Sequence, residues 1–538
     1  SSLSSEANAT VPHDSWTVLG SPGDTVGATH YDYQSNGSTG SRIVKDYLGG
    51  FHFTWMNGIG FWQGNRWVWY NFLDENVVWP WPKTGTQVNT TQGAGYCQID
   101  VLSDGRAVVA YHSANNALYT CIGIDVIRGF GVFTEIDVPE VQSQYHYYWP
   151  YTTIDRADRI HLICTEKLPS AGDPTPFMYT RSADEGYSWT NPEIVDTVIG
   201  LSQIIVSSNV SDRVAIVYAT REYENPEDIP DVYYIESEDG THWDWSNKVN
   251  ITNYQPGDTV GAWWSDLDAV YDYGDDLHVI WNTPIRDRLN ETLLWHWSEE
   301  TGITLVAAAK WNSNPGAWNR SIAKVSIAVD SSDNLFALWS QFTEEDTSAG
   351  GYSNGDLYMS YSTDGGLTWG EPENITNSPS PGCWPGQCDN DHWSSLAEEV
   401  DDYLHIVYIN DKDAGGIPQS EGVDTENPVL YLRVENPARQ ANVQETKSSL
   451  PMVTSLLQNY PNPFNATTEI TYQLATDGPV KLEIFNLLGE KVETVVDEKQ
   501  TPGEKSVIWD ASGFSSGTYF CRLTAGDLTQ IRRMTLLR

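Results

Sequence analysis

Cysteine is scarce, six in 538 residues, so a disulfide framework cannot hold a chain of this length together. No zinc spacing and no Cys-x-x-Cys occurs. Basic residues are also short: 30 Lys and Arg face 73 Asp and Glu, a net charge of −43. Nucleic acid and anionic lipid surfaces repel such a chain. No apolar run approaches the ~18 residues of a membrane helix, which argues against insertion by a helix. Long helical periodicity is absent too. So are the nucleophile elbow, the His-Glu-x-x-His pair and the phosphate loop. The opening Ser1-Ser2-Leu3 is not a signal peptide, so a leader has been removed or lies outside this sequence.

What is abundant is aromatic: 23 Trp and 29 Tyr, where ordinary chains lean on Leu, Ala and Val. Short β-branched and aromatic runs, punctuated by Gly, Asp and Asn, read as strands. One such run recurs seven times: Phe51–Trp55, Ala107–Tyr111, Ile160–Cys164, Val214–Tyr218, Leu277–Trp281, Leu335–Trp339 and Leu404–Tyr408. Each reads as the second strand of a repeated unit and is followed by a third, as at Trp67–Tyr70, Phe177–Tyr179 and Val429–Tyr431. A spacing of roughly 50–70 residues lies in the propeller range. The expectation is an all-β chain: an N-terminal segment at 1–13, a seven-bladed β-propeller at 14–436, a polar linker at 437–456 and a small Ig-like β-sandwich at 457–538.

Two copies carry a sharper turn, Ser182-Ala-Asp184-Glu-Gly186-Tyr-Ser188-Trp189 and Ser362-Thr-Asp364-Gly-Gly366-Leu-Thr368-Trp369. A shorter one has Asp239 and Trp243. Asp accepts backbone N–H groups, Gly takes a positive φ, and Trp packs the turn onto the sheet. These turns resemble the Asp-box, or BNR repeat, of sialidase-like propellers, where they are structural and lie away from the active site.

The last stretch runs Leu457-Gln-Asn-Tyr460-Pro-Asn-Pro-Phe464-Asn465, Val480–Gly489, Ser516-Gly517-Thr-Tyr519 and Arg533-Met534-Thr-Leu-Leu-Arg538. It resembles the type IX secretion C-terminal sorting domain of Bacteroidetes. That resemblance implies export to the outside of a Gram-negative cell, with the secretion machinery as a partner. The charge agrees with two different parts: 452–538 carries eight Lys and Arg against ten Asp and Glu, leaving −41 on 1–451.

Sites are less legible. His52, His161, His278 and His405 share one repeat position, and in a repeat protein such a position is framework before it is a metal ring or proton relay. Strand-entry loops around one channel mouth place Tyr147, Trp149, Trp263, Trp264, Asp266, His392 and Trp393 as ligand-binding candidates. Rings beside carboxylates suit extracellular glycans; the competing reading is that they wedge blades apart. Asp275 and Asp276, Asp389 and Asp391, and Asp411 and Asp413 offer oxygen ligands for Ca2+, without the EF-hand spacing; solvated acidic turns are the alternative. Cys383 and Cys388 are candidates for a local disulfide. The expected role is a non-catalytic surface protein that binds glycans or copies of itself. The alternative is a sialidase-like glycoside hydrolase. The resemblance implies an arginine clamp on a carboxylate, for which Arg42, Arg221, Arg286 and Arg320 are candidates, with Glu222 beside Arg221. Arg42 lies in Ser41-Arg42-Ile43-Val44, which lacks the family's aromatic and proline.

Overall fold

The computed structural model describes residues 20–536, apart from 59–64, 115–117, 140–146, 167–174, 199–201, 222–228, 263–264, 286–287, 312–313, 317–318, 440–454, 457–458, 460–461, 463, 475, 487–489 and 527. The chain is all-β and divides into two compact units, Ser1–Arg439 and Gln440–Arg538. Among the described residues no helix is long and apolar enough to cross a membrane.

The first unit is a succession of antiparallel sheets in sequence order, as in a propeller. The first holds Ile43–Lys45, Phe51–Gly58, Arg66–Leu73 and Thr86–Gln87. The first strands of the sheets that follow are Gly95–Val101, Tyr147–Ile154, Gln203–Ser207, Leu267–Tyr271, Ile322–Asp330 and Asn390–Leu396. The last of these sheets takes its outer strand from the other end of the unit, Asp24–Thr29, which pairs with Asn427–Glu435. Second strands such as Leu277–Ile285 are buried along their whole length. They therefore read as largely apolar runs, because a neighbouring sheet covers each face. The cores are shared between neighbours: Ile99 and Val109 pack with Tyr70 of the first sheet, and Trp393 and Tyr431 of the last pack with Phe53 and Trp55 of the first.

The shared histidines are framework ties, one to a sheet. His52 bonds Asp46 Oδ2 through Nε2 at 3.0 Å and Tyr70 Oη through Nδ1 at 2.7 Å. His161 does the same with Asp155 and Tyr179, and His405 with Asp401 and Tyr431. His278 meets Asp272 and His296. Burial lowers the pKa of His52, His161 and His405 against the pull of their aspartates. A neutral ring fits these partners: Nε2–H donates to Asp while Nδ1 accepts from Tyr.

The two Asp turns share one geometry. Asp184 accepts from Ser188 N and Oγ at 2.7 and 2.6 Å, and Asp364 from Thr368 N and Oγ1 at 2.9 and 2.6 Å. Ser182 and Ser362 each accept the N–H of Gly186 or Gly366. Trp189 and Trp369 each donate to that glycine's carbonyl at 3.1 Å. In the shorter turn Asp239 accepts from Thr241 and His242 N–H, and Trp243 stacks on Trp245. The glycines are required. Gly366 has φ +88°, and a Cβ there would lie 2.1 Å from the His296 ring of the preceding sheet. We expect Gly366→Ala to cost about 2–4 kcal/mol, overpacking plus the left-handed penalty. Urea denaturation checks this: a midpoint shift with unchanged slope is the expected result.

The second unit packs a three-stranded sheet (Ser455–Leu456, Thr467–Leu474, Gly503–Asp510) and a four-stranded sheet (Lys491–Gln500, Gly478–Asn486, Gly517–Ala525, Leu528–Leu536) on one core. Trp509 is central, ringed by Phe464, Phe514 and Tyr519. One boundary is corrected: Ser455 and Leu456, expected in the linker, already pair with Gln473 and Tyr472. Their backbone groups gain partners there that a linker would leave to water.

Candidate functional site

Between the outer strand Asp24–Thr29 and the inner strand Ile43–Lys45, the chain crosses the axis of the sheets. Ser38 Oγ accepts Leu267 N–H at 3.2 Å, and Ser38 O accepts Tyr151 Oη at 2.7 Å. Thr39 O accepts Gln98 Nε2 at 3.0 Å, and Gly40 O accepts Ser395 Oγ at 3.0 Å. Asp32 Oδ2 accepts Ile417 N–H at 2.9 Å. Partners on four different sheets place this segment in the channel. Most of its buried polar groups are paired, while Asp32 Oδ1 and Thr39 Oγ1 have no protein partner. Gln34 is the hub, accepting Met56 N–H at 2.8 Å and Arg42 Nη1 at 3.1 Å.

The first strands meet this segment through a repeated bulge. Register shifts fall at Gly95/Gln98, Tyr148/Tyr151, Ala323/Ser326 and His392/Ser395. In each, one bulky residue has positive φ: Tyr96 (53°), Trp149 (57°), Lys324 (56°) and Trp393 (57°). In the first sheet Gly40 holds the same position at φ 65°. A left-handed bulky residue costs of order 1–3 kcal/mol, and a bulge re-aims its side chain. Here the side chains gather. Trp393 lies under the Lys324 ammonium at 4.4 Å and edge-on to Tyr33 at 5.1 Å. Tyr96 and Trp149 meet edge to face at 6.2 Å. The Arg66 guanidinium sits 5.1 Å from the Tyr31 and Tyr96 rings and donates to Tyr31 Oη at 3.0 Å. Burial raises the Tyr31 phenol, as does neighbouring Tyr96, so it stays a neutral donor and acceptor.

Tyr96, Gln98, Trp149, Tyr151 and Thr165 line a small open cleft against Ser35–Gly37, with about 10 Å³ of room, enough for one water or one hydroxyl group. Two buried polar atoms at its wall have no protein partner, Gln98 Oε1 and Thr165 Oγ1.

Several expectations are corrected here. Asp266, His392 and Trp393 are not exposed loop residues but buried on the axis. Asp266 is spent on Lys324, accepting its N–H at 2.7 Å and facing its Nζ at 3.3 Å. Arg42 belongs to no clamp, because its guanidinium is turned inward onto Gln34. Arg320 is largely buried and donates to Asn319 O, while Arg221 is half-buried at a strand end. Glu222, Arg286, Trp263 and Trp264 lie outside the described residues, as does the side chain of Tyr147. Among the described residues no three of His, Cys, Asp and Glu converge as a metal-binding group. Their oxygens are spent elsewhere: Asp275 on Ser211, Asp389 on Lys412, Asp391 on Ser378 and Asn410, and Asp411 on Asn390. Asp413 accepts Val423 N–H, and Asp276 lies in an exposed turn. Cys383 and Cys388 are joined in a disulfide. Sequence reasoning missed Tyr96, Gln98, Thr165, Arg66 and Lys324.

Residues 458–536 match the secretion system C-terminal sorting domain. The C-terminal unit is a type IX sorting domain. It marks proteins carried by type IX secretion to the cell surface or extracellular space in Bacteroidetes. No curated protein is similar to this chain. Among solved structures, PorZ, an essential surface component of the type IX system of Porphyromonas gingivalis, aligns at 13% identity and TM-score 0.37. The alignment covers 94% of this chain and 60% of that one. A Dyadobacter fermentans protein of unknown function aligns at 11% identity and TM-score 0.38, covering 64% and 99%. The Penicillium chrysogenum α-L-arabinanase complexed with arabinobiose aligns at 11% and TM-score 0.40, covering 63% and 92%.

Proposed function

We propose that this type IX-exported chain is a non-catalytic, seven-bladed propeller that binds extracellular carbohydrate at the axial cleft. The observation that carries the reading is the strained Tyr96–Trp149 pair beside two unpartnered polar atoms, Gln98 Oε1 and Thr165 Oγ1. A sugar offers what both need: C–H faces for the rings and a hydroxyl for the polar atoms. The cleft admits one hydroxyl and leaves the sugar ring outside against Trp149. Asp turns of the Asp-box type suit a sialidase-like framework. The channel, however, is filled by the protein's own segment and its arginine faces inward, which favours binding over hydrolysis.

The test is a glycan array, followed by calorimetry on the best ligand. Wild-type protein is expected to bind a defined glycan class, and Trp149→Ala to weaken that binding at least about tenfold, the loss of one stacked ring with its desolvated contact. Equal binding by Trp149→Ala removes the cleft from the reading. Turnover of fluorogenic glycosides by the wild type would replace binding with glycoside hydrolysis.

A further inference from the structure

Three turns at one edge of the first two sheets present large apolar side chains to solvent. They are Tyr47 and Leu48, Val77 and Val78, and Ile127 and Phe130, each 47–67% exposed. One arginine holds the three turns together. Arg128, between Ile127 and Gly129, bonds Asp46 beside Tyr47 through Nε at 2.5 Å and Nη2 at 3.1 Å. Its Nη2 also meets Glu75, two residues before Val77, at 2.9 Å. Buried Asp125 fixes the third turn by accepting the N–H groups of Phe130, Gly131 and Val132. Arg128 therefore links the three turns that carry these apolar groups.

Position 77 shows that this exposure works against the turn itself. Comparable turns put a tolerant residue at the left-handed position: Gly49, Gly105, Asp158, Asp275 and Asp333. Here it is Val77, at φ 63°, a β-branched outlier that strains the backbone. A turn optimised for stability alone would carry glycine or asparagine.

We propose that this face docks a protein partner with an apolar centre and a basic rim. Charge complementarity selects it. The turns joining first to second and third to fourth strands lie at one end of each antiparallel sheet. At that end Asp104, Asp184, Asp239, Asp276, Glu299 and Asp364 are exposed, one or two in the turns of each of the second to sixth sheets, so the end that carries the apolar turns is acidic. A second copy would bring its own −43, and anionic lipid would be repelled as well. The chain's own C-terminal unit is nearly neutral and brings no net positive charge. An apolar centre with a polar, oppositely charged surround is how specific docking faces are built.

The probe is a fluorescein-labelled amphipathic Leu–Lys helical peptide, read by anisotropy on the full chain. Wild type is expected to bind it, with affinity falling at about 0.5 M salt. Ile127→Asp with Phe130→Asp should weaken binding at least about tenfold. Val77→Gly should melt higher yet bind about threefold more weakly, so it reads the face in a variant that folds. Trp149→Ala should leave peptide binding unchanged, which separates this face from the carbohydrate cleft. Equal binding by the double variant, no binding by wild type, or tighter binding by Val77→Gly overturns the proposal. So does self-association in sedimentation velocity that the double variant abolishes, which would give the face to a second copy.

Discussion

Asp46→Ala is expected to remove about 3–5 kcal/mol of folding stability, the range for breaking a buried, hydrogen-bonded ion pair. The Asp46 side chain is fully buried. Its Oδ1 accepts the N–H groups of Leu48 and Gly50, each at 2.9 Å. Its Oδ2 takes His52 Nε2 and Arg128 Nε. Alanine leaves an imidazole and a guanidinium without their acceptor, and the unmade bonds cost more than the pair was worth. Burial alone would raise the Asp46 pKa, but bonds from His52 and Arg128 outweigh it and hold it well below the usual carboxylate range.

The sign of the pH dependence follows. A carboxylate depressed in the folded state contributes stability above its unfolded value, about 4, and loses it as pH falls through the folded value. His52 acts in the same direction. Its folded pKa is lowered, so the unfolded chain takes up that proton first and stability drops below about pH 6.5. The gap between wild type and Asp46→Ala should be wide at pH 7, begin to shrink below about pH 4 and close only as pH falls through the depressed folded value. Asp100 and Asp268 work the other way. Burial pushes each up to about 7, so their stabilising effect is complete below about pH 4 and gone once pH has passed through 7. The difference between the two proteins, by urea denaturation at each pH, therefore carries the test rather than either midpoint alone. A gap that stays constant across pH would mean that Asp46 acts through packing only.

Much of the framework was legible because it is local. The Phe51–Trp55 pattern and its repeats mark the second strand of each sheet, where burial on both faces demands an apolar run. The Asp turns were legible for the same reason: Ser182 to Trp189 make their own bonds within eight residues. The four histidines read correctly as framework, since each finds an aspartate four or six residues earlier. The axial site was not legible. Gln34, Ser38 and Gly40 reach partners dozens to hundreds of residues away, and no local pattern announces a segment that crosses a channel. Trp393 looked like an exposed loop residue because the bulge that turns it inward depends on backbone conformation, not composition. One signal was available for Tyr96, Trp149, Lys324 and Trp393. Counting three residues back from Ile99, Thr152, Ile327 and Leu396, which pair with equivalent positions of the second strands, aligns all four.

Removing the chain through Thr29 is expected to be the most damaging truncation, at about 5 kcal/mol or more, comparable to the whole stability of an ordinary domain. Asp24–Thr29 is the fourth strand of the last sheet. Val26 is fully buried in the cluster that joins that sheet to the first. Asn71 Nδ2 donates to Val26 O at 2.7 Å, and Trp55 Nε1 to Ala28 O at 3.1 Å, so the strand also ties directly to its neighbour. Without it, Asn427–Glu435 becomes a bare edge and the truncated protein should aggregate as well as melt early. A point variant probes the same junction. Gly27 has no side chain where Trp55 approaches, and a Cβ would lie 2.3 Å from the indole; Gly27→Val should cost about 3 kcal/mol by overpacking. The decisive measurement adds a synthetic peptide of residues 20–29 to the truncated protein. If the strand closes the ring by pairing, the peptide restores the thermal midpoint in a concentration-dependent way. A truncated protein that melts like the full chain would mean that the sheets hold together without this closure.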